Sequence, residues 1–265
     1  MRQDLNGTEL LDIASRLADA AGQAILPYFR GDALSTSNKL EGGFDPVTVA
    51  DRAAERAMRD VLDELRPDDG ILGEEYGTKA GTSGLTWVLD PIDGTRGFIS
   101  GTPTWGTLIA VSDDNGPMMG VIDQPYIGER FIGGFGTARV DGPHGSRDLG
   151  TKTTTSLNEA ILFTTFPEVG SPEERTGFET VAEQVKLTRF GMDCYAYGLL
   201  AAGQVDLVIE AGLQPYDIQA PIAVIEAAGG IVTDWQGGPA YNGGRCLAAA
   251  NATLHAEALK FLSRV

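Results

Sequence analysis

Four short stretches of the chain gather oxygen ligands in patterns that can do chemistry. Gly73-Glu74-Glu75 follows the apolar pair Ile71-Leu72. Trp87-Val88-Leu89 runs into Asp90-Pro91-Ile92-Asp93-Gly94-Thr95. Asp45-Pro46-Val47-Thr48-Val49-Ala50-Asp51 precedes a helical pattern rich in Ala and Arg, and Pro215-Tyr216-Asp217 opens a later one. The turn from Asp90 to Thr95 alone offers two carboxylates, a backbone carbonyl, a hydroxyl and N–H donors, and Gly94 lets a ligand approach the backbone closely. Hard divalent cations take oxygen ligands of this kind, and Mg²⁺ commonly bridges carboxylates, waters and phosphate. N–H groups at a helix start suit phosphate oxygens. A lone Asp-Pro-x-Asp-Gly reads as a turn, with Asp93 capping a helix. Its three companions, in this order, turn the reading toward a metal and phosphate site.

The elements that must carry these residues follow from periodicity. Thr8 to Phe29 repeats apolar residues at helical spacing, and Val49 to Leu65 forms a second helix ended by Pro67 and Gly70. Trp87–Leu89 is a short strand; Thr107–Val111, Met118–Ile122 and Glu129–Gly133 form a hairpin-like β region. The segment Arg139–Thr155, rich in Gly and polar residues, reads as a loop joining two halves, 1–145 and 146–265. The second half alternates: strand 160–164, helix 172–183, helix 196–202, strand 205–210, helix 218–228 and strand 230–234. Such alternation implies α/β layering within one compact unit, the second half supplying Asp217.

The 265 residues, 42% of them hydrophobic, are enough for a sizeable core. A formal net charge of -17 repels nucleic acid and anionic membranes. An anionic ester then needs a local source of positive charge, which bound cations can supply. Cys194 and Cys246 lack paired spacing, so neither a disulfide framework nor a CxxC zinc site is expected, and the thiols fit the cytosol. No stretch matches a signal peptide or a membrane span. His144, in a Gly/Pro loop, and His255, near the C-terminus, read as surface residues. The spacing Asp90-x-x-Asp93 argues against an Asp-x-Asp nucleophile; the glycines 133, 134 and 136 lack the third glycine of a dinucleotide fingerprint, and neither a Walker A sequence nor a G-x-S-x-G elbow occurs.

The Val47-Thr48-x-x-Asp51, Gly-Glu-Glu and Asp-Pro-Ile-Asp-Gly-Thr elements, with Asp217 followed by Ala227-Ala228-Gly229-Gly230, span nearly the whole chain and resemble the inositol monophosphatase superfamily of metal-dependent phosphatases. That resemblance implies a layered αβαβα sandwich of the α/β (α+β) class and, commonly, a homodimer. It implies two to three Mg²⁺ ions per site: one on Glu74, Asp90 and the Ile92 carbonyl, one on Asp90, Asp93 and Asp217, and a looser one sharing Glu74. Thr95, paired with Asp51, would orient or deprotonate the attacking water, and the Gly94 and Thr95 N–H groups would hold phosphate. Lys39 is a candidate phosphate contact on the same ground, with a solvated loop Lys as the alternative.

Within the superfamily, Asp90–Gly106, Asp123-Gln124-Pro125 with Glu129-Arg130, Asp193–Tyr197 and Pro215-Tyr216-Asp217 resemble the histidinol-phosphate phosphatase branch. Tyr216 stands where the inositol branch usually has Trp, and Asp193 where it has a small residue. Glu210 falls where the family places a substrate contact, and Arg189 is a further candidate for substrate. Two carboxylates favour a cationic alcohol through charge-assisted hydrogen bonds; a neutral polyol leaves a buried charge poorly paired. The plain alternative for Asp193 is a cap on the helix beginning near Tyr195. The expected reaction is hydrolysis of L-histidinol phosphate. Inositol 1-phosphate or another sugar phosphate is the alternative substrate, and a non-catalytic metal-binding regulator the alternative class.

Overall fold

The computed structural model describes residues 6–31, 36–38 and 46–265. Lys39 and Asp45 lie outside the described residues. In chain order the elements are α1 Gly7–Ile25, β1 Thr36–Asn38, β2 Pro46–Thr48, α2 Val49–Leu65, β3 Gly70–Gly73, β4 Gly77–Lys79, β5 Thr86–Asp93, α3 Thr95–Ser100, β6 Gly106–Asp113, β7 Gly116–Gln124, β8 Glu129–Gly134, β9 Thr137–Gly142, β10 Gly145–Asp148, β11 Ile161–Thr164, α4 Pro172–Ala182, β12 Leu187–Phe190, α5 Tyr195–Ala201, β13 Leu207–Leu213, α6 Pro215–Ala227, β14 Ile231–Thr233, β15 Gly244–Ala249 and α7 Ala252–Leu262.

Two large sheets organise the chain. The first has eight strands in the order β10-β9-β8-β7-β6-β5-β3-β4; the second has five, β12-β11-β13-β15-β14. Strand residues alternate between two apolar layers. In β6, Ile109 and Val111 pack with α1 and α2, whereas Leu108 and Ala110 pack with α5 and α6. In β13, Val208 joins that same middle layer, whereas Leu207 and Ile209 pack with α4 and α7. Period-two alternation delivers the inner strands to two cores, so the middle of each sheet is buried on both faces while its edge strands are not. The result is a helix pair, a sheet, a helix pair, a sheet and a helix pair: the expected αβαβα sandwich.

Local chemistry explains most boundaries. Asn6 caps α1, its side chain accepting from the Glu9 amide at 3.2 Å. The helix stops at Ile25, four residues before its expected end at Phe29, because Pro27 has no N–H to continue the ladder. The larger correction concerns 139–155. The stretch read as a loop contains the end of β9 and all of β10, an antiparallel hairpin at the edge of the first sheet, so the 145/146 junction falls inside β10. All four β10 residues are exposed. An edge strand with no buried face carries no apolar alternation for sequence to reveal. Strands β12 and β15 also went unanticipated.

Candidate metal and active site

Each acidic stretch ends at one rim of the first sheet. β3 runs parallel to β5 with Gly73 opposite Leu89, and the Glu74 amide donates to the Leu89 carbonyl at 3.2 Å. Glu74 and Asp90 therefore leave adjacent strand ends together. Asp90 and Asp93 are three positions apart, an odd offset that points side chains to opposite faces of a regular strand. A bulge restores parity: Asp90 faces Leu108, Asp93 faces Gly106, and the Thr107 hydroxyl takes up the Pro91 carbonyl at 2.8 Å. Asp217 arrives from the second half at the first turn of α6, where it accepts from the Gln214 amide at 2.7 Å.

These arrangements bring one carboxylate oxygen each of Asp90, Asp93 and Asp217 within 4.8 Å of one another. Asp90 is 2% exposed. Burial pushes its carboxyl well above the usual range, and the charges of Glu74, Asp93 and Asp217 push it further. Asp93 is raised by burial and by Asp217 and Asp193, against which the Cys194 amide, donating to Asp93 Oδ2 at 2.6 Å, pulls downward. Asp90 Oδ1 is buried with no hydrogen-bond partner among the described residues. Crowded acids, an orphaned oxygen and the neighbouring Ile92 carbonyl form a hard, all-oxygen donor set that fits a divalent cation.

The Glu74 turn is held from below. Glu55 of α2, fully buried, accepts from the Glu75 amide at 2.7 Å and the Tyr76 amide at 3.1 Å, and binds Arg59 at 2.8 Å. A Cβ on Gly73 would lie 2.0 Å from Glu55 Oε1, so only glycine admits this support. Asp51, at the third position of α2, accepts from the Thr48 amide at 2.8 Å and from the Thr48 hydroxyl. Its other oxygen stands 3.5 Å from the Thr95 hydroxyl, which is 3.1 Å from the Ile92 carbonyl. Burial is the main cause that raises the Asp51 carboxyl to about 6, with Thr48 pulling down and Glu74 and Glu75 pushing up. Gly94 caps α3 in the left-handed region, φ 83°. Asp93 is therefore not the cap.

A cavity of about 490 Å³ opens above the cluster. Of the residues singled out from sequence, Glu74, Asp90, Ile92, Asp93, Gly94, Thr95, Asp193, Glu210 and Asp217 line it. Asp51 sits behind Thr95. Arg189 does not join them: it is exposed on β12, at the edge of the second sheet. Asp193 is not a helix cap either; Cys194 holds that position, and Asp193 Oδ2 accepts from the Thr104 hydroxyl at 2.8 Å. Glu210 accepts from the Thr165 amide at 2.6 Å, and its burial is the main cause that lifts its carboxyl to about 7, with the Thr165 bond opposing. His144 is exposed, whereas His255 is half-buried with Nε2 at 2.8 Å from the Thr233 hydroxyl; neither lines the cavity. Both cysteines are free and buried. Sequence reasoning missed Arg96, whose guanidinium lies 4.9 Å over the Phe166 ring at the cavity, and Thr104 and Thr165; no spacing signal marks them.

The family model described as the inositol monophosphatase family matches residues 6–264. The chain belongs to this family. It is a phosphomonoesterase of the metal-dependent type, and its acidic cluster is the place where a metal would bind. Among its relatives, the chain is 44% identical over 240 residues to the bifunctional phosphatase IMPL2, chloroplastic, of Arabidopsis thaliana, covering 88% of this chain and 67% of that protein. It is 35% identical to the histidinol-phosphatase of Mycobacterium tuberculosis, covering 96% and 97%. In structure it is similar to an inositol monophosphatase from Zymomonas mobilis, with TM-score 0.85, 39% identity and coverage of 98% and 99%. Among the described residues of this family member, no helix is long and apolar enough to cross a membrane.

Proposed function

We propose that this phosphatase hydrolyses L-histidinol phosphate to L-histidinol and phosphate, with Mg²⁺ as its cation. The observation that carries the substrate is the pair Asp193 and Glu210, both lining the cavity above the metal cluster. Each is pushed up by burial, so each gains by meeting a cation. Histidinol brings an amine and an imidazole, and charge-assisted hydrogen bonds to two carboxylates select it over a neutral polyol. The similarity to the histidinol-phosphatase of M. tuberculosis supports the same reading.

Glu74, Asp90, the Ile92 carbonyl, Asp93 and Asp217 would hold two to three Mg²⁺ ions. Bound there, the ions would offset the carboxylate charge, lower the pKa of a coordinated water and stabilise developing charge on phosphate oxygens. The chain's own residues do the positioning that phosphoryl transfer requires. Thr95, held between the Ile92 carbonyl and Asp51, orients the attacking water, and Asp51, raised to about 6, is suited to take its proton through that hydroxyl near neutral pH. The Gly94 and Thr95 amides at the start of α3 face the phosphate. The water oxygen bonds to phosphorus as the bond to the histidinol oxygen breaks, and that oxygen takes up a proton from water to leave as the alcohol.

The test is a Mg²⁺-dependent panel of histidinol phosphate, myo-inositol 1-phosphate, fructose 1,6-bisphosphate and adenosine 3′,5′-bisphosphate, with Asp193→Ala beside the wild type. Histidinol phosphate is expected to give the highest kcat/KM, and Asp193→Ala to lower it about tenfold more than for a neutral ester. A preference for inositol phosphate, or equal losses on both, would overturn the assignment. We also propose a cytosolic homodimer, for which the exposed Leu187 and Phe190 on edge strand β12 are the face to be covered. Sedimentation at two chain masses is the expected result, and a single mass would remove it.

A further inference from the structure

We infer that Thr104 is a positioning residue that holds Asp193 in the geometry needed to receive a cationic alcohol. The inference rests on the reading of Asp193 as the contact for that group. Asp193 has φ 45°, in the left-handed region that non-glycine residues rarely adopt. This backbone tucks its side chain against α3. A Cβ on Gly94 would lie 2.7 Å from Asp193 Cβ, and one on Gly97 would lie 2.9 Å from its Oδ2. Backbone therefore closes one side of the carboxylate, and the Thr104 hydroxyl, 2.8 Å from Oδ2, takes that oxygen. Oδ1 is the oxygen left for a ligand in the cavity.

Thr104 can act as a fixed strut because its own segment is pinned at several points. Trp105, next in sequence, is fully buried against Phe29 and Phe98, with ring centroids 5.1 and 5.0 Å away. The Thr102 hydroxyl lies 3.4 Å from that of Thr104 and donates to the Gly97 carbonyl at 3.1 Å. The Gly101 carbonyl accepts two bonds from the Arg30 guanidinium, at 3.0 and 2.8 Å. Burial pushes the Asp193 carboxyl up, and the Thr104 bond leads the influences that pull it back, ahead of the Arg96 charge. A carboxylate oxygen held in place and aimed is what an ammonium or imidazolium requires.

The test is steady-state kinetics with Mg²⁺ on L-histidinol phosphate and on p-nitrophenyl phosphate, whose leaving group carries no cation. Thr104→Val is expected to raise KM for histidinol phosphate about tenfold, with kcat and both constants for the nitrophenyl ester within about twofold of wild type. Thr104→Ser should recover the wild-type KM. In an Asp193→Asn background, Thr104→Val should add nothing, since the pair acts as one unit. Equal KM shifts on both esters, or a serine variant no better than the valine one, would overturn the inference. If Asp193→Asn raises KM for histidinol phosphate and Thr104→Val does not, the role of Thr104 falls alone. If Asp193→Asn leaves that KM unmoved, the reading of Asp193 falls first and takes Thr104 with it. Should Thr104→Val fail to fold, Thr104→Ala is read against the serine variant in the same way.

Discussion

Buried acids occur in two settings in this molecule. Between α1 and the β7–β8 hairpin, Asp123 binds Arg130 at 2.6 Å, and Arg130 also reaches Asp19 at 2.8 Å. Asp206, fully buried just before β13, binds Lys152 at 2.7 Å and accepts from the Ile161 amide at 2.9 Å. At the cluster, by contrast, Asp90 and Asp93 have no Lys or Arg ion partner among the described residues, and their charged neighbours are other acids. The first setting closes its charge balance within the chain, which makes it structure. For Asp90 and Asp93 the balance stays open among the described residues, and an open balance in a cavity of about 490 Å³ is a request for cations from solution.

That contrast breaks or sharpens in four ways. The largest expected effect is at the cluster: Asp93→Asn should lower kcat about a thousandfold while raising the melting temperature of the metal-free protein, because one of several repelling charges is gone. Kinetics and calorimetry in chelator check both halves, and a metal-free variant no more heat-stable than wild type would contradict the repulsion. At the paired setting the sign reverses. Arg130→Met strands Asp123 and should cost about 3 kcal/mol of stability in urea unfolding, with kcat per folded molecule retained. Unchanged unfolding would show that the pair contributes little. Third, saturating Mg²⁺ should stabilise the wild type by about 2.7 kcal/mol at a hundredfold excess over Kd, and Asp93→Asn by clearly less.

The smallest effect is a pH dependence at Glu210. Its folded carboxyl lies at about 7 against an ordinary 4.5, so the folded state keeps a proton that the unfolded chain releases. The stability this contributes is complete below about pH 4.5 and is lost as pH rises through 7. The advantage of Glu210→Gln over wild type in metal-free melting should therefore grow from pH 5 to pH 8. A constant difference would place the Glu210 proton elsewhere.

Much of the site is legible in the chain because ligand chemistry is carried by residue type. Glu74, Asp90, Asp93 and Asp217 each stand at a strand end or helix start that apolar periodicity marks, and all reach one cavity. The Asp123-Gln124-Pro125 and Glu129-Arg130 motifs were visible as sequence but not as function. In the fold they are fasteners: Arg130 ties β8 to α1, and Glu129 accepts from the Tyr195 hydroxyl, steadying the start of α5 beside Asp193. The edge strand β10 was illegible because all four of its residues meet solvent, which removes the apolar alternation from which a strand is read.

Taken alone, the amino-acid order determined which side chains bring oxygen to the site, that the layers alternate helix and sheet, and that the acids outnumber the bases. Tertiary structure decided which acids stay unbalanced. It decided that a bulge turns Asp90 and Asp93 to one side, that Asp193 rests on Thr104 rather than capping a helix, and that Arg189 stays on an outer edge. The reason is physical: a residue's chemistry is a property of its own atoms, whereas its partner, burial and aim depend on chain segments a hundred positions away.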